Sequence, residues 1–250
     1  MHTLRVARAL AAVDVRSVRR DPLLRWIIVL PLLVALPVRW VLPLVTRKIG
    51  VLIGVDLLPY YPLAMGYAML LLTPALAGMV IGFLLLDQRD DRTLTALQVT
   101  PLSLSGYLAY RLAAPMLVSF GTTLIVLPVA GLMEMDLVTL SAISLAAAPL
   151  APLGALALAS FAAKKVQGCA LMKISGLFWI APLAAYFAPP RWEWAFAAIP
   201  TYWPAKLLWT ISADGANPPL YLLLGFAYQT LLLWLLLRRF QRVIHRSATS

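Results

Sequence analysis

Charge is what this chain has least of. Asp, Glu, Lys and Arg make up only 12% of its 250 residues, against roughly a quarter in soluble domains, while 62% are hydrophobic. A single soluble core of this length cannot hide that much apolar surface, so the chain reads as an integral membrane protein. Cysteine is nearly absent: Cys169 stands alone, beside two histidines. An internal disulfide and a zinc site of the usual Cys/His spacing are excluded, and Cys169 reads as a small apolar filler. There is no Gly-x-x-x-x-Gly-Lys-Ser/Thr phosphate loop, no Gly-x-Ser-x-Gly elbow and no His-Glu-x-x-His pair. Nucleotide hydrolysis through a phosphate loop is thus not expected of this chain, nor is catalysis by a residue of its own.

What is present is a series of long apolar runs. Stretches near 23–45, 60–86, 107–131, 137–162, 171–187 and 220–237 approach or exceed the roughly 20 residues that cross a bilayer core as a helix. The expected fold is all-α, with six transmembrane helices in one domain covering residues 1–250. Pro31, Pro37 and Pro43 should bend the first helix, and Gly66, Gly78 and Gly82 in the second should let another backbone approach closely. The fourth run, rich in Ala, Gly and Ser, suits the centre of the bundle. Tyr60, Tyr61 and Tyr67 read as interface aromatics. Two readings stand for Arg39: a group lining a substrate path, or one that snorkels to the nearby interface.

Residues 1–21 carry Arg5, Arg8, Arg16, Arg19 and Arg20 with no continuous apolar centre, which argues against a signal peptide. They read as an interfacial helix, either lying on an anionic leaflet of membrane lipid or only setting orientation. Residues 189–219 are apolar but broken by Pro200 and Pro204 among Trp192, Trp194, Tyr202, Trp203 and Trp209. Too interrupted to span, they read as a re-entrant or interfacial segment before the last helix.

The net charge of +11 does not point to nucleic acid, because the basic residues punctuate apolar runs as topology signals do. Arg89, Arg92, Arg111, Lys164, Lys165, Lys173 and the arginines at both ends collect on one side. Arg39, Arg47, Lys48, Arg191 and Lys206 fall on the other. A multi-pass protein of the cell membrane, plasma or inner, follows, with both termini and residues 87–103 in the cytoplasm.

Residues 87–103 are the polar break around which the rest is arranged, holding Asp87, Asp90, Asp91, Arg89 and Arg92 between apolar runs. The three aspartates are the one candidate metal cluster, as in a magnesium-dependent prenyltransferase-like membrane enzyme. Such sites need carboxylates from a second segment, which the remaining cytoplasmic turn does not offer.

The string Arg89-Asp90-Asp91-Arg92-Thr93-Leu94-Thr95-Ala96-Leu97-Gln98-Val99-Thr100-Pro101-Leu102-Ser103 resembles the signature of type-2 ABC export permeases, departing at Arg92 where that family often has glycine. Ile199-Pro200-Thr201-Tyr202-Trp203-Pro204-Ala205-Lys206 is similar to the family's re-entrant segment between its fifth and sixth helices. The wording around Thr100 to Arg111 looks closest to fluoroquinolone or multidrug exporters. The resemblance implies an efflux permease for amphipathic drugs or lipid-like compounds, with no cofactor of its own. ATP and Mg would be bound by an ABC ATP-binding subunit, and a second permease chain, identical or homologous, would complete the path. A short helix capped near Thr93 and stopped at Thr100-Pro101 would then dock on that subunit. Leu94, Leu97 and Val99 would bury, and Asp87, Arg89, Asp90, Asp91 and Arg92 would form the rim. A haem-delivery or assembly permease shares the early motif but would not need the Trp-rich stretch from Trp192 to Trp209.

Overall fold

An apolar segment in lipid can satisfy its own backbone hydrogen bonds only as a helix. A computed structural model of the chain describes residues 22–90 and 104–248, with side chains for 29–89 and 106–243 apart from Tyr110. The expected interfacial helix at 1–21 and residues 91–103 of the polar break lie outside the described residues.

The described residues form helices and short turns, with no strand among them. In chain order these are α1 (Pro22–Ile53), α2 (Tyr61–Met65), α3 (Leu72–Asp90), α4 (Leu104–Ala130), α5 (Leu137–Ala147) and α6 (Leu150–Phe161). Then come α7 (Lys165–Phe187), α8 (Pro190–Glu193), α9 (Tyr202–Ser212) and α10 (Pro218–Ala248). Six stretches among the described residues are long and apolar enough to cross a bilayer: Val29–Ile53, Leu58–Arg89, Gly106–Ala130, Leu137–Phe161, Lys165–Phe187 and Pro218–Val243. The protein is therefore an all-α, multi-pass membrane protein.

Local chemistry explains where the helices start, stop and break. α1 continues through Arg47 and Lys48 until Gly54, whose φ of 72° ends it with its N–H bonded to the Gly50 carbonyl at 2.8 Å. Pro74 lacks the N–H that would bond the carbonyl one turn back. The second span breaks just before it into a π turn at Gly66–Leu70, with the Leu71 N–H reaching Gly66 at 3.2 Å. The fourth span is likewise two helices, parted at Ala148 and Pro149. Asp136 starts it, its carboxylate accepting from the Val138 and Thr139 N–H groups at 3.1 and 3.3 Å. Hydrogen bonding by Thr139, from its side chain first and then from its backbone N–H, holds the Asp136 carboxyl below the ordinary aspartate range.

The fourth span is the centre of the bundle, with 72% of its apolar window buried, whereas the first and sixth have 11% each. Lipid tails are as apolar as leucine, so close packing rather than solvent exclusion holds these helices together. The closest approach is between α3 and α6. A Cβ on Gly78 would lie 2.6 Å from the Ala151 carbonyl oxygen, and one on Gly82 would lie 2.8 Å from Leu158 Cδ2. Gly78 meets the Ala151 backbone and Gly82 meets Leu158 and the Ala155 Cα, so both allow the close approach of α6 that their spacing in the sequence leads one to expect. Cys169 departs from its reading as a packed filler. It is exposed on α7, most of whose apolar window faces outward.

Two ends can be told apart by their ties. At the Asp136 end, Tyr186 donates to the Pro59 carbonyl at 3.2 Å, and Ser212 lies 3.8 Å from the Met133 sulfur. Arg39 also belongs there. Its guanidinium donates to the Val129 carbonyl at 3.2 Å and packs on Gly131, where α4 stops at φ 60°. A cation on the last carbonyls of a helix complements its dipole, so Arg39 is a helix-capping group. At the opposite, Asp87 end, α3, α4, α6 and α10 converge around Leu85, Leu108, Leu156 and Phe240, and α7 adds Leu171 and Met172 against Leu86 and Leu158.

Candidate functional site

Two polar regions interrupt the apolar body, one at each end. At the Asp87 end, the last turn of α3 carries three described side chains, and each is bonded to a different element. Asp87 pairs with Lys165 at the start of α7, 2.7 Å away. Gln88 accepts from the Tyr107 hydroxyl of α4 at 2.8 Å. Arg89 donates to the carbonyls of Ala159 and Ala163 at 3.0 and 2.6 Å, where α6 ends. Arg89 thus caps the negative end of α6, while Asp87 sits at the positive start of α7. These bonds tie the last turn of α3 to the α6–α7 corner and, through Gln88, to α4.

Sequence reading placed Asp87 and Arg89 at the rim of a docking segment. In the structure both are bonded to partners some 70 to 80 positions along the chain, the Asp87–Lys165 pair remaining partly exposed. Of the other residues expected in that segment, Asp90 contributes the last backbone position of α3. Its side chain lies outside the described residues, as do Asp91, Arg92, Thr93, Leu94, Leu97, Thr100 and Pro101 in full. Among the described residues no three His, Cys, Asp or Glu side chains group to hold a metal.

The second polar region is the segment between α7 and α10. Prolines 189, 190, 200 and 204 forbid a continuous helix, so the chain makes the short α8, a 3-10 turn at Trp194–Ala198, an extended residue at Ile199, and α9. Thr201 donates to the Phe178 carbonyl at 2.6 Å, Gln229 to the Pro200 carbonyl at 3.3 Å, and Tyr228 to the Ala198 carbonyl. Trp203 donates to Ala197 at 3.0 Å and packs so closely on α10 that a Cβ on Gly225 would fall 2.7 Å from it. Phe178 lies nine residues before the end of α7, or about 14 Å at 1.5 Å per residue. The turn holding Pro200, Tyr202, Trp203 and Pro204 therefore sits beside the middle of α7.

Inside this segment Lys206 pairs with Glu193 at 2.6 Å, and the Tyr202 hydroxyl donates to the same carboxylate oxygen at 2.9 Å. Burial, then the bond and charge of Glu193, raise the Tyr202 phenol well above its ordinary value, so it stays a donor. Sequence reasoning counted Lys206 only as a charge on one side and did not single out Glu193. The available signal was that Arg191, Glu193 and Lys206 are the only charged residues between Ala188 and Ser212.

These features can be set beside known proteins. Residues 14–237 match the family model described as fluoroquinolones export permease protein Rv2686c-like. The chain belongs to that family. Two curated relatives from Mycobacterium tuberculosis are each 36% identical over 239 residues, covering 94% of this chain and 94% of their own. They are the fluoroquinolones export permease proteins MT2760, from strain CDC 1551 / Oshkosh, and Rv2686c, from strain ATCC 25618 / H37Rv. No solved structure matches. Membership covers both polar regions of this export permease and agrees with the resemblance to type-2 ABC export permeases carried by residues 89–103 and 199–206.

Proposed function

We propose that this chain is the membrane-spanning subunit of an ATP-driven exporter that moves amphipathic aromatic drugs of the fluoroquinolone type out of the cell. The observation that carries the reading is the match of nearly the whole chain to fluoroquinolone export permeases, on a body of six spans. ATP and Mg belong to a separate ATP-binding subunit, and this chain needs no cofactor. That subunit docks on residues 87–103 in the cytoplasm, where both termini also lie. Leu94 and Leu97 are buried in the contact, Thr93 caps the docking helix, Thr100 and Pro101 end it, and Asp90, Asp91 and Arg92 form the rim.

Asp87 and Arg89 carry the stroke inward. Their bonds to Lys165 and to the end of α6 favour transmission through packed helices over a loosely attached loop. At the Asp136 end the segment 189–219 is re-entrant. The tie of Thr201 beside the middle of α7 supports this, since buried non-helical backbone at that depth is satisfied by protein groups. A second permease chain, identical or homologous, completes the path. The outward apolar faces of α1 and α10 meet it and membrane lipid.

The test is reconstitution in lipid nanodiscs. The chain alone should hydrolyse no ATP. With its ATP-binding subunit it should give drug-stimulated hydrolysis, which Leu94→Asp or Leu97→Asp abolishes while leaving the chain folded. ATP hydrolysis by the chain alone, or coupling untouched by both substitutions, overturns the proposal.

A further inference from the structure

Between the segment joining α7 to α10 and the turn from Asp56 to Pro62 lies an open-sided cavity of about 790 Å3 at the Asp136 end, a volume in the range that holds drug-sized ligands. Its wall includes Tyr186, Trp209 and Tyr221, both members of the Glu193–Lys206 pair, and the exposed Asp56 carboxylate, which already accepts from the Leu58 N–H at 3.0 Å. The rings form one aromatic cluster: Tyr186 meets Trp209 edge-on at 5.0 Å, and Tyr221 has Lys206 at 5.6 Å and Trp194 stacked at 6.4 Å. The ion pair is mostly buried, with side-chain exposures of 21% for Lys206 and 17% for Glu193, yet it borders open space. Both contacts to the carboxylate fall on Oε1, so Oε2 remains an acceptor for a guest. The Trp209 indole N–H is itself buried and lies beside Gly66, so Trp209 offers a guest its ring and not a donor.

A buried ion pair selects its guest by charge. A ligand with one charge would separate the pair and leave one member unpaired in a low-dielectric wall, at high cost. A ligand carrying both charges replaces one ion pair by two and leaves nothing unpaired. We propose that this cavity is a binding site for planar aromatic zwitterions, with the carboxylate taken by Lys206, the protonated amine by Glu193, and the ring system stacked among Tyr186, Trp209 and Tyr221. The assignment rests on the export reading above and gives it a substrate chemistry, since fluoroquinolones with a basic amine are such molecules. On that reading the site lies on the outer side, where cargo leaves.

Binding to the full chain in nanodiscs, followed by quenching of its tryptophan fluorescence, is measured for three matched probes. These are a zwitterionic fluoroquinolone with a free piperazine, its carboxyl ester and its N-acyl derivative. The zwitterion should bind about tenfold more tightly than either singly charged form, the effect of one charge-assisted bond. The double variant Glu193→Gln, Lys206→Met should bind all three alike, while Lys206→Arg keeps the preference. Tyr221→Leu should weaken all three together, which keeps the assignment testable if the double variant fails to fold. Equal binding of the three probes by the unaltered chain, or a preference surviving in the double variant, overturns the assignment. If vesicles bearing the chain and its ATP-binding subunit extrude the drug while these preferences are absent, the cavity assignment falls and the export proposal stands. If they extrude no drug, both fall.

Discussion

Replacing Gly78 by alanine tests the packing that holds the bundle together. The added Cβ would lie 2.6 Å from the Ala151 carbonyl oxygen, where ordinary contact begins at 3.4 Å. The obstacle is backbone and cannot turn aside, so α3 and α6 must part by about 0.8 Å, and a gap of that size forfeits roughly a quarter to a half of each dispersion contact across the crossing. Overpacking of this kind costs about 1–3 kcal/mol. Exchanging glycine for alanine inside a helix returns about 1 kcal/mol, so the net loss should be about 0–2 kcal/mol, and about 1–3 kcal/mol relative to a helix glycine with open space beside it. Gly121 provides the control, because a Cβ there meets nothing within 4 Å, and Gly121→Ala should be neutral or stabilising. Gly82→Ala should fall between the two, since its nearest obstacle is the flexible Leu158 side chain. Thermal unfolding of the three variants in nanodiscs measures the order. If Gly78→Ala is as stable as Gly121→Ala, the close crossing of α3 and α6 does not exist as described.

Arg89→Met should cost about 1–3 kcal/mol by stripping two charge-assisted bonds from the end of α6; thermal unfolding checks the loss, and drug-stimulated ATP hydrolysis should fall further than stability alone explains. Gln229→Leu leaves the Pro200 carbonyl without its donor, and unfolding should show a loss of about 0.6–1.7 kcal/mol, the range for polar contacts within membranes. The cap at Asp136 should give a pH signature. Its carboxyl is held below the ordinary aspartate value, so its contribution is complete above that value and is lost as pH falls through the lowered one. Asp136→Asn, which keeps a capping oxygen, should remove this acid-side fall in melting temperature while leaving stability near neutrality almost unchanged.

The helical body was legible because lipid imposes one rule on every apolar run, and the runs 171–187 and 220–237 lie wholly within α7 and α10. The Gly78 and Gly82 crossing was legible too, since small residues one turn apart have few other uses in a membrane helix. Helix ends were harder. The extension of α1 through Arg47 and Lys48 follows from the absence of a breaker before Gly54, whereas the charges there suggest a loop. Long-range polar pairs left almost no trace. Arg89 reads as an exposed rim charge from its neighbours, yet its acceptors are carbonyls of Ala159 and Ala163, which no local pattern announces. Glu193 and Lys206 lie 13 positions apart, and only the folding of α8 back against α9 makes them partners.

The most direct measurement concerns the side of the membrane on which residues 91–103 lie and what covers them. Thr93→Cys, in a chain whose exposed Cys169 is replaced by serine, is exposed to a membrane-impermeant maleimide in intact cells and in inverted vesicles. The account predicts no labelling in intact cells, labelling in inverted vesicles, and protection there when the ATP-binding subunit is added. Labelling of intact cells, or no protection by that subunit, would contradict it.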